Sequence, residues 1–405
     1  MMNILFLSIG EFNSIYQREI YPDFLREFVN RGHEVYIVSS LEKRKGKETQ
    51  IITEGHAHLL KVKIGNITKT NLVEKGISTV LLERQYKSAI KKYLSDIKVD
   101  LIMYSTPPIT LAGVIKYAKK YYKAKTYLLL KDIFPQNAVD LGMLSKNGVK
   151  GLIYYFFRNK EINLYRVSDY IGCMSPANVR YLLSNNPKVD KSIVEVCPNS
   201  IDVRDMRVDV DTRKQIRDKY EIPLDRKVLV YGGNLGKPQG IDFLIDCLSN
   251  QKENDSVFFL IVGDGTEYQK LYDYMETEKP SNAKLMKKLP KDDYDKMIAA
   301  CDVGMIFLDH RFTIPNFPSR LLAYMQASLP VLACTDPNTD IGEVIVEGGF
   351  GWWCESNDVE AFSKLMQEVT NSNLVQLGIN GKKYLENHYT VGNAYKIVVK
   401  SLNWM

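Results

Sequence analysis

The chain has little cysteine, little histidine and no long apolar run. Its six cysteines (Cys173, Cys197, Cys247, Cys301, Cys334, Cys354) are scattered over 405 residues, mostly beside apolar neighbours and without CxxC spacing. That excludes a disulfide framework and the common zinc spacings and leaves reduced core fillers. No apolar run reaches the ~18 residues that a membrane span needs. Met1 to Gly10 has no basic segment ahead of its apolar residues, so it reads as a first core strand and not as a signal peptide, the expectation being a chain that stays in the cytoplasm. No repeat of about 20–50 residues is present, which sets solenoids aside. No GxGxxG follows a strand with an acid further on, which argues against a dinucleotide oxidoreductase.

What is present is an ordinary globular composition, 45% hydrophobic and 25% charged, in a chain long enough for about two or three domains. The net charge of +6 hides an asymmetry: residues 1–200 carry 30 Lys/Arg against 18 Asp/Glu, and residues 201–405 carry 24 against 30. The two halves therefore want different partners. Between residues 84 and 125 ten basic residues face two acids, with Tyr86, Tyr93, Tyr104, Tyr117, Tyr121 and Tyr122 among them. Such a mixture suits a membrane interface or a solvated helix face. Residues 151–160, apolar and aromatic and then basic, fit either a core helix or one lying on a bilayer. No nucleic-acid recognition motif accompanies the charge, so nucleic acid is not an expected partner.

Apolar strand-like runs alternate with helical patterns, which predicts an α/β chain of parallel sheets with crossover helices. Runs at 3–9, 34–39, 101–104 and 126–131 belong to a first unit; the pattern restarts with 228–231, 257–262, 284–285, 303–307 and 331–333. The charged, proline-punctuated stretch 200–226 reads as a connection, with a boundary near residue 200. Residues 43–75 yield no assignable element. Two such sheets are expected to present the carboxyl ends of their strands to a shared cleft, where ligands of open α/β sheets bind.

The most informative local pattern is Tyr231-Gly232-Gly233-Asn234-Leu235-Gly236-Lys237-Pro238-Gln239-Gly240, a glycine loop between a strand and a helix. Glycines let backbone N–H groups approach phosphate oxygens, and Lys237 adds a whole charge; the bland alternative is a tight turn. Gly263 and Asp264 form a similar turn. Asn316-Phe317-Pro318-Ser319-Arg320 leads into a helix, with Ser319 as a cap beside the Arg320 guanidinium: a second phosphate site, or a structural cap. In the first half, Asp132 ends a strand, able to accept a proton or to cap the next turn. Thr106 ends another, and Gly10 and Asn13 follow the first. Asp209-Val210-Asp211 lacks a preceding strand and is rejected as a metal site.

Five motifs together resemble the retaining glycosyltransferases of family 4, which have the two-lobed GT-B fold: Arg31-Gly32-His33-Glu34-Val35; Asp132-Ile133-Phe134-Pro135; Cys197-Pro198-Asn199-Ser200-Ile201-Asp202; the Gly232 to Gly240 loop; and Pro318-Ser319-Arg320 before Tyr324-Met325. Within that family the chain is similar to the N-acetylfucosamine-type transferases of bacterial O-antigen and capsule assembly. The resemblance implies two Rossmann-like domains, residues 1–200 binding the acceptor and 201–385 the nucleotide sugar, with 386–405 crossing back to the first. It implies no metal and no cofactor, a UDP-sugar donor, a polyprenyl-diphosphate-linked acceptor, and peripheral contact with the anionic inner face of the cytoplasmic membrane.

The same resemblance implies that Gly232, Gly233, Asn234 and Lys237, with Gly263, Asp264, Asn316, Phe317, Ser319 and Arg320, hold the donor. Lys237 and Arg320 would stabilise the departing diphosphate; Gly10 approaches it from the other lobe; Asp132, Thr106 and Asn13 face the acceptor. The paired glutamates that family members space eight positions apart fall here on Pro315 and Ala323, so the expected substitutes are Asn316, the Phe317 backbone, Asp309 or Glu343. Two alternatives share the fold: a nucleotide-sugar 2-epimerase, disfavoured because only His310 of five histidines is well placed, and a catalytically impaired binding partner in a polysaccharide assembly.

Overall fold

Runs that are apolar at every position become strands covered on both faces, and they set the architecture. The computed structural model describes residues 1–68, 70 and 72–402. Contacts divide the chain into two units, one of residues 1–139, 144–202 and 391–405, the other of residues 140–143 and 203–390.

The first unit holds an eight-stranded sheet of β1 (Asn3–Leu7), β2 (Glu34–Glu42), β3 (Gln50–Glu54), β4 (Ala57–Ile64), β5 (Leu101–Ser105), β6 (Lys125–Leu130), β7 (Tyr170–Cys173) and β8 (Val194–Val196) in the order β3-β4-β2-β1-β5-β6-β7-β8. Only the edge strand β3 runs antiparallel to its neighbour. The β3–β4 hairpin lies within residues 43–75, where the sequence yields no element. Alternation is visible in β3 (half-buried, exposed), but its polar face hides it from a reading tuned to apolar runs. The order reverses between β1 and β5, the topological switch point.

The second unit holds six parallel strands, β9 (Lys227–Asn234), β10 (Val257–Asp264), β11 (Ala283–Lys287), β12 (Val303–Phe307), β13 (Val331–Thr335) and β14 (Gly351–Glu355), in the order β11-β10-β9-β12-β13-β14. Its switch point lies between β9 and β12. The two parallel-sheet α/β units are the fold class the alternation predicts.

Three details differ from expectation. Gly232, Gly233 and Asn234 belong to β9 and pair with β10 as far as Asn234 opposite Asp264, so the loop begins only at Leu235. The Val210–Lys219 helix is no bare connection: Arg217 is buried and, with Arg213, grips Asp302 at 2.6 and 2.5 Å. Asp302 also accepts from the Val228 amide, which ties the helix to the start of β9, while Asp209 caps the helix. The tyrosines expected at an interface are divided, since Tyr86 and Tyr104 are fully buried, bonded to Ser40 and Ser168.

The Val391–Ser401 helix buries Val391, Ala394, Val398 and Val399 in the first unit's core. His33 of the Arg31–Val35 motif accepts from the Met2 amide and bonds the Tyr395 hydroxyl at 2.9 Å, and Arg31 stacks on the same ring. Gly32, at φ +80°, turns the chain there, a conformation costly for any side chain. That motif is a structural staple joining both ends of the chain to one core.

Candidate functional site

At the switch point of the second sheet, β9 ends in two glycines for separate reasons. Gly232 is buried under the Tyr294 ring: a Cβ there would lie 1.8 Å from the Tyr294 hydroxyl. Its amide donates to the Tyr324 hydroxyl at 3.2 Å. Gly233 takes φ +123°, a backbone that side chains rarely adopt, and the nearest side-chain atom to its vacant Cβ position is Arg320 Nη2 at 3.6 Å. The Tyr231 hydroxyl closes the turn on the Asn234 carbonyl, and the Gln239 side chain holds Asn234 and the Gly236 amide.

Arg320 opens the Arg320–Gln326 helix, and Tyr324 lies one turn later on the same face. The guanidinium lies 4.3 Å over the Tyr231 ring. Its Nη1 is sealed from solvent and has no hydrogen-bond partner among the described residues. Burial pushes the Tyr324 hydroxyl up to about 12 and Tyr294 well above its ordinary value, so both stay neutral. No carboxylate forms an ion pair with Arg320 among the described residues. Buried charges are ordinarily paired, because removing one from water costs several kcal/mol. A guanidinium without a carboxylate partner beside exposed glycine backbone has the donors and the charge to hold an anion.

The other expected donor residues divide. Asn316 has a sealed side-chain nitrogen without a hydrogen-bond partner, and its carbonyl accepts from Thr339 Oγ1 at 2.5 Å. Asp336, just after β13, accepts from the Asn338 and Thr339 amides on one oxygen, leaves the other unbonded, and is pushed up to about 6 by burial. Arg320, Asn316 and Asp336 thus each carry one sealed polar atom with unused bonding capacity. Ser319, expected to cap the helix, instead has helical backbone angles and makes no cap bond. Gly263 is needed for packing, since a Cβ would meet the Gly233 carbonyl at 2.1 Å, and Asp264 bonds the amide of its own turn. Phe317 packs near the Tyr389 ring. Asp309 is spent on Arg311 at 2.9 and 2.7 Å, and Glu343 is exposed on its helix. Lys237 is exposed and lines a cavity of about 600 Å³ with Asp242, Lys270, His310 and Arg311, a wall that does not include Arg320.

In the first unit the expected acceptor residues are largely engaged. Thr106 Oγ1 accepts from the Lys131 and Asp132 amides and donates to the Asp132 carbonyl, welding β5 to β6. Asp132 accepts from the Ile133 amide and from Asn137 on both oxygens, and burial raises its pKa. Asn13 accepts from Lys61 at 3.1 Å, and Gly10 is exposed with its amide on Ser8 Oγ. Asp202 of the third motif binds Arg18 and Arg26 beside Asp23, an ionic network of the first unit.

The sequence reading missed the tyrosines around Arg320 and missed Asp336. Tyr324 was within reach, four residues after Arg320 on one helix face; Tyr294 comes from another helix and leaves no local signal. Asp336 carries the same mark as Asp132, a carboxylate at the end of a strand.

Known proteins bear on the family and the fold. Residues 212–384 match the family described as glycosyl transferases group 1. A probable glycosyltransferase, WbjE of Pseudomonas aeruginosa, is 23% identical over 80% of this chain and 78% of its own length. A putative colanic acid biosynthesis glycosyl transferase, WcaI of Escherichia coli, is 22% identical over 61% of this chain and 60% of its own. Among solved structures, HepE of Anabaena in complex with UDP and glucose superposes with a TM-score of 0.72 at 14% identity, all of both chains being covered. That likeness is one of fold, the two-sheet GT-B architecture. The matched stretch, residues 212–384, runs from the Val210–Lys219 helix through the glycine strand and Arg320, and it is this part of the chain that is similar to the glycosyl transferases group 1.

Proposed function

We propose that this protein is a retaining glycosyltransferase that moves an N-acetylated (deoxy)hexosamine from a UDP-sugar to a polyprenyl-diphosphate-linked sugar, in the assembly of a bacterial capsule or O-antigen. The single observation that carries the donor side is the half-buried Arg320 guanidinium, its Nη1 sealed and unbonded and without a carboxylate partner among the described residues, beside the open backbone of Gly233. A diphosphate supplies the missing counter-charge and accepts from both. The complexes of HepE with UDP and glucose, and the colanic acid role in the name of WcaI, support a nucleotide sugar and a surface polysaccharide.

In this reading the bond between the anomeric carbon and the diphosphate oxygen breaks with its electron pair passing to the diphosphate. The acceptor hydroxyl oxygen bonds to the same carbon from the same face and gives its proton to the departing phosphate oxygen. Arg320 stabilises the charge that develops there, by fixed electrostatics and without a metal. Asn316 offers its unbonded amide to sugar or ribose hydroxyls in place of the carboxylates absent at Pro315 and Ala323. Asp336 positions it through Thr339. Asp132 is the acceptor-side carboxylate of the first unit.

The test is chromatographic detection of free UDP from UDP-N-acetylhexosamines with and without extracted polyprenyl-diphosphate glycans. Release that requires the acceptor and is lost in Arg320→Ala is expected. Release only from a guanosine or adenine nucleotide sugar would overturn the donor assignment.

A further inference from the structure

We infer that Tyr231 is the positioning residue of the anion site: its ring holds the Arg320 guanidinium in place without neutralising it, and its hydroxyl holds the glycine turn beside it. The inference rests on the donor reading above and adds the residue that joins the two parts of that site. An arginine free to sample rotamers costs free energy to order when a ligand arrives. Here a ring does the ordering in advance. Tyr231 lies in β9, fully buried, with the Phe307 ring edge-on to it at 6.2 Å. The Arg320 guanidinium carbon lies 4.3 Å from the Tyr231 ring centroid. Tyr231 and Gly233 stand two residues apart on one strand and so share a face. Arg320 lies against both, its Nη2 coming within 3.6 Å of the position that a Gly233 Cβ would take. The Tyr231 hydroxyl donates to the Asn234 carbonyl at 2.8 Å, spanning Gly233 at φ +123°. One side chain therefore ties together the cation and the backbone that the proposed diphosphate would touch.

A carboxylate in this place would grip the guanidinium through two of its N–H groups and cancel its charge. A ring face attracts the cation through its quadrupole, leaves the in-plane N–H donors available and cancels no charge. The sealed, unbonded Nη1 of Arg320 is what such an arrangement leaves over. Burial raises the Tyr231 pKa, so the phenol stays neutral beside the cation and forms no ion pair with it.

The experiment separates the ring's charge distribution from its shape. Phenylalanine, and phenylalanines carrying one, two or three ring fluorines, are placed at position 231 of the full-length protein. Fluorine draws negative charge from the ring face and changes its size little, so the series folds alike. UDP affinity is read by calorimetric titration and stability by urea unfolding. Tyr231→Phe is expected to weaken UDP binding by about threefold or less, and the fluorine series to fall stepwise from there, to about tenfold with three fluorines. Compared with the same series in an Arg320→Met background, the unfolding constant also rises with each fluorine, since a contact with Arg320 is lost only where Arg320 is present. Affinity and unfolding that ignore fluorine number, or an unfolding trend that is the same in the Arg320→Met background, would overturn the proposal, because a ring kept for packing alone gives that result. Failure of the unaltered protein to bind UDP would overturn the donor reading, and the unfolding series alone would then decide whether the ring holds the arginine.

Discussion

Each unit carries a cation and a carboxylate near the carboxyl edge of its sheet, Lys131, Asp132 and Arg320 half-buried and Asp336 buried, and the two pairs are used differently. In the first unit Lys131 donates to the Cys197 carbonyl at 2.8 Å, and Asp132 is held by Ile133 and Asn137. Both groups are largely consumed in joining β6 to its neighbours. In the second unit Arg320 leaves a sealed nitrogen unbonded and Asp336 a sealed oxygen. The contrast lies in unspent bonding capacity at the charged groups, which is present at Arg320 and Asp336 and largely used up at Lys131 and Asp132.

The largest expected effect concerns Asp336. Burial raises Asp336 from 3.8 to about 6, so its contribution to stability is present below its unfolded pKa and is lost as pH rises from about 4 to about 6, amounting to about 3 kcal/mol. Asp336→Asn should flatten that part of the pH–stability curve measured by denaturant unfolding. An unchanged curve would show that Asp336 does not titrate in this range.

Replacing the cations by an apolar isostere should give opposite signs. Arg320→Met removes a half-buried charge that has no carboxylate partner among the described residues, and should stabilise the empty protein by about 1 kcal/mol. Lys131→Met leaves the Cys197 carbonyl without its donor and should cost about 1–3 kcal/mol. Thermal or urea unfolding of the two variants distinguishes them, and equal signs would remove the contrast.

A smaller effect is expected at Tyr324→Phe, which strips the Gly232 amide of its acceptor and should weaken diphosphate binding by about 1 kcal/mol in a calorimetric titration. The smallest is Lys237→Ala. The sequence pattern makes Lys237 an equal partner of Arg320, but an exposed lysine on another wall should alter affinity by no more than about threefold. A large loss there would restore it to the site.

These outcomes also show how far the sequence carries. The alternating runs predict both sheets, because strands buried on both faces cannot hide their apolarity. Gly232, Gly233, Asn316 and Arg320 are legible from glycine at a strand end and arginine at a helix start. The β3–β4 hairpin is not, since a strand with one wet face resembles a loop. Nor are the Tyr294 ring over Gly232 or the spending of Thr106 on a neighbouring strand, for these depend on contacts between segments distant in the chain. The Gly148–Val167 helix was ambiguous for the same reason, since apolar composition does not say which face is covered.

The central claim, that Arg320 is left unpaired for a nucleoside diphosphate, is tested most directly by melting the protein and its Arg320→Ala variant with UDP, GDP or NAD in excess of the dissociation constant. Selective binding raises the midpoint. The account predicts a rise with UDP in the unaltered protein that is absent in the variant, and none with NAD. Equal rises in both proteins, or no rise with any diphosphate, would contradict it.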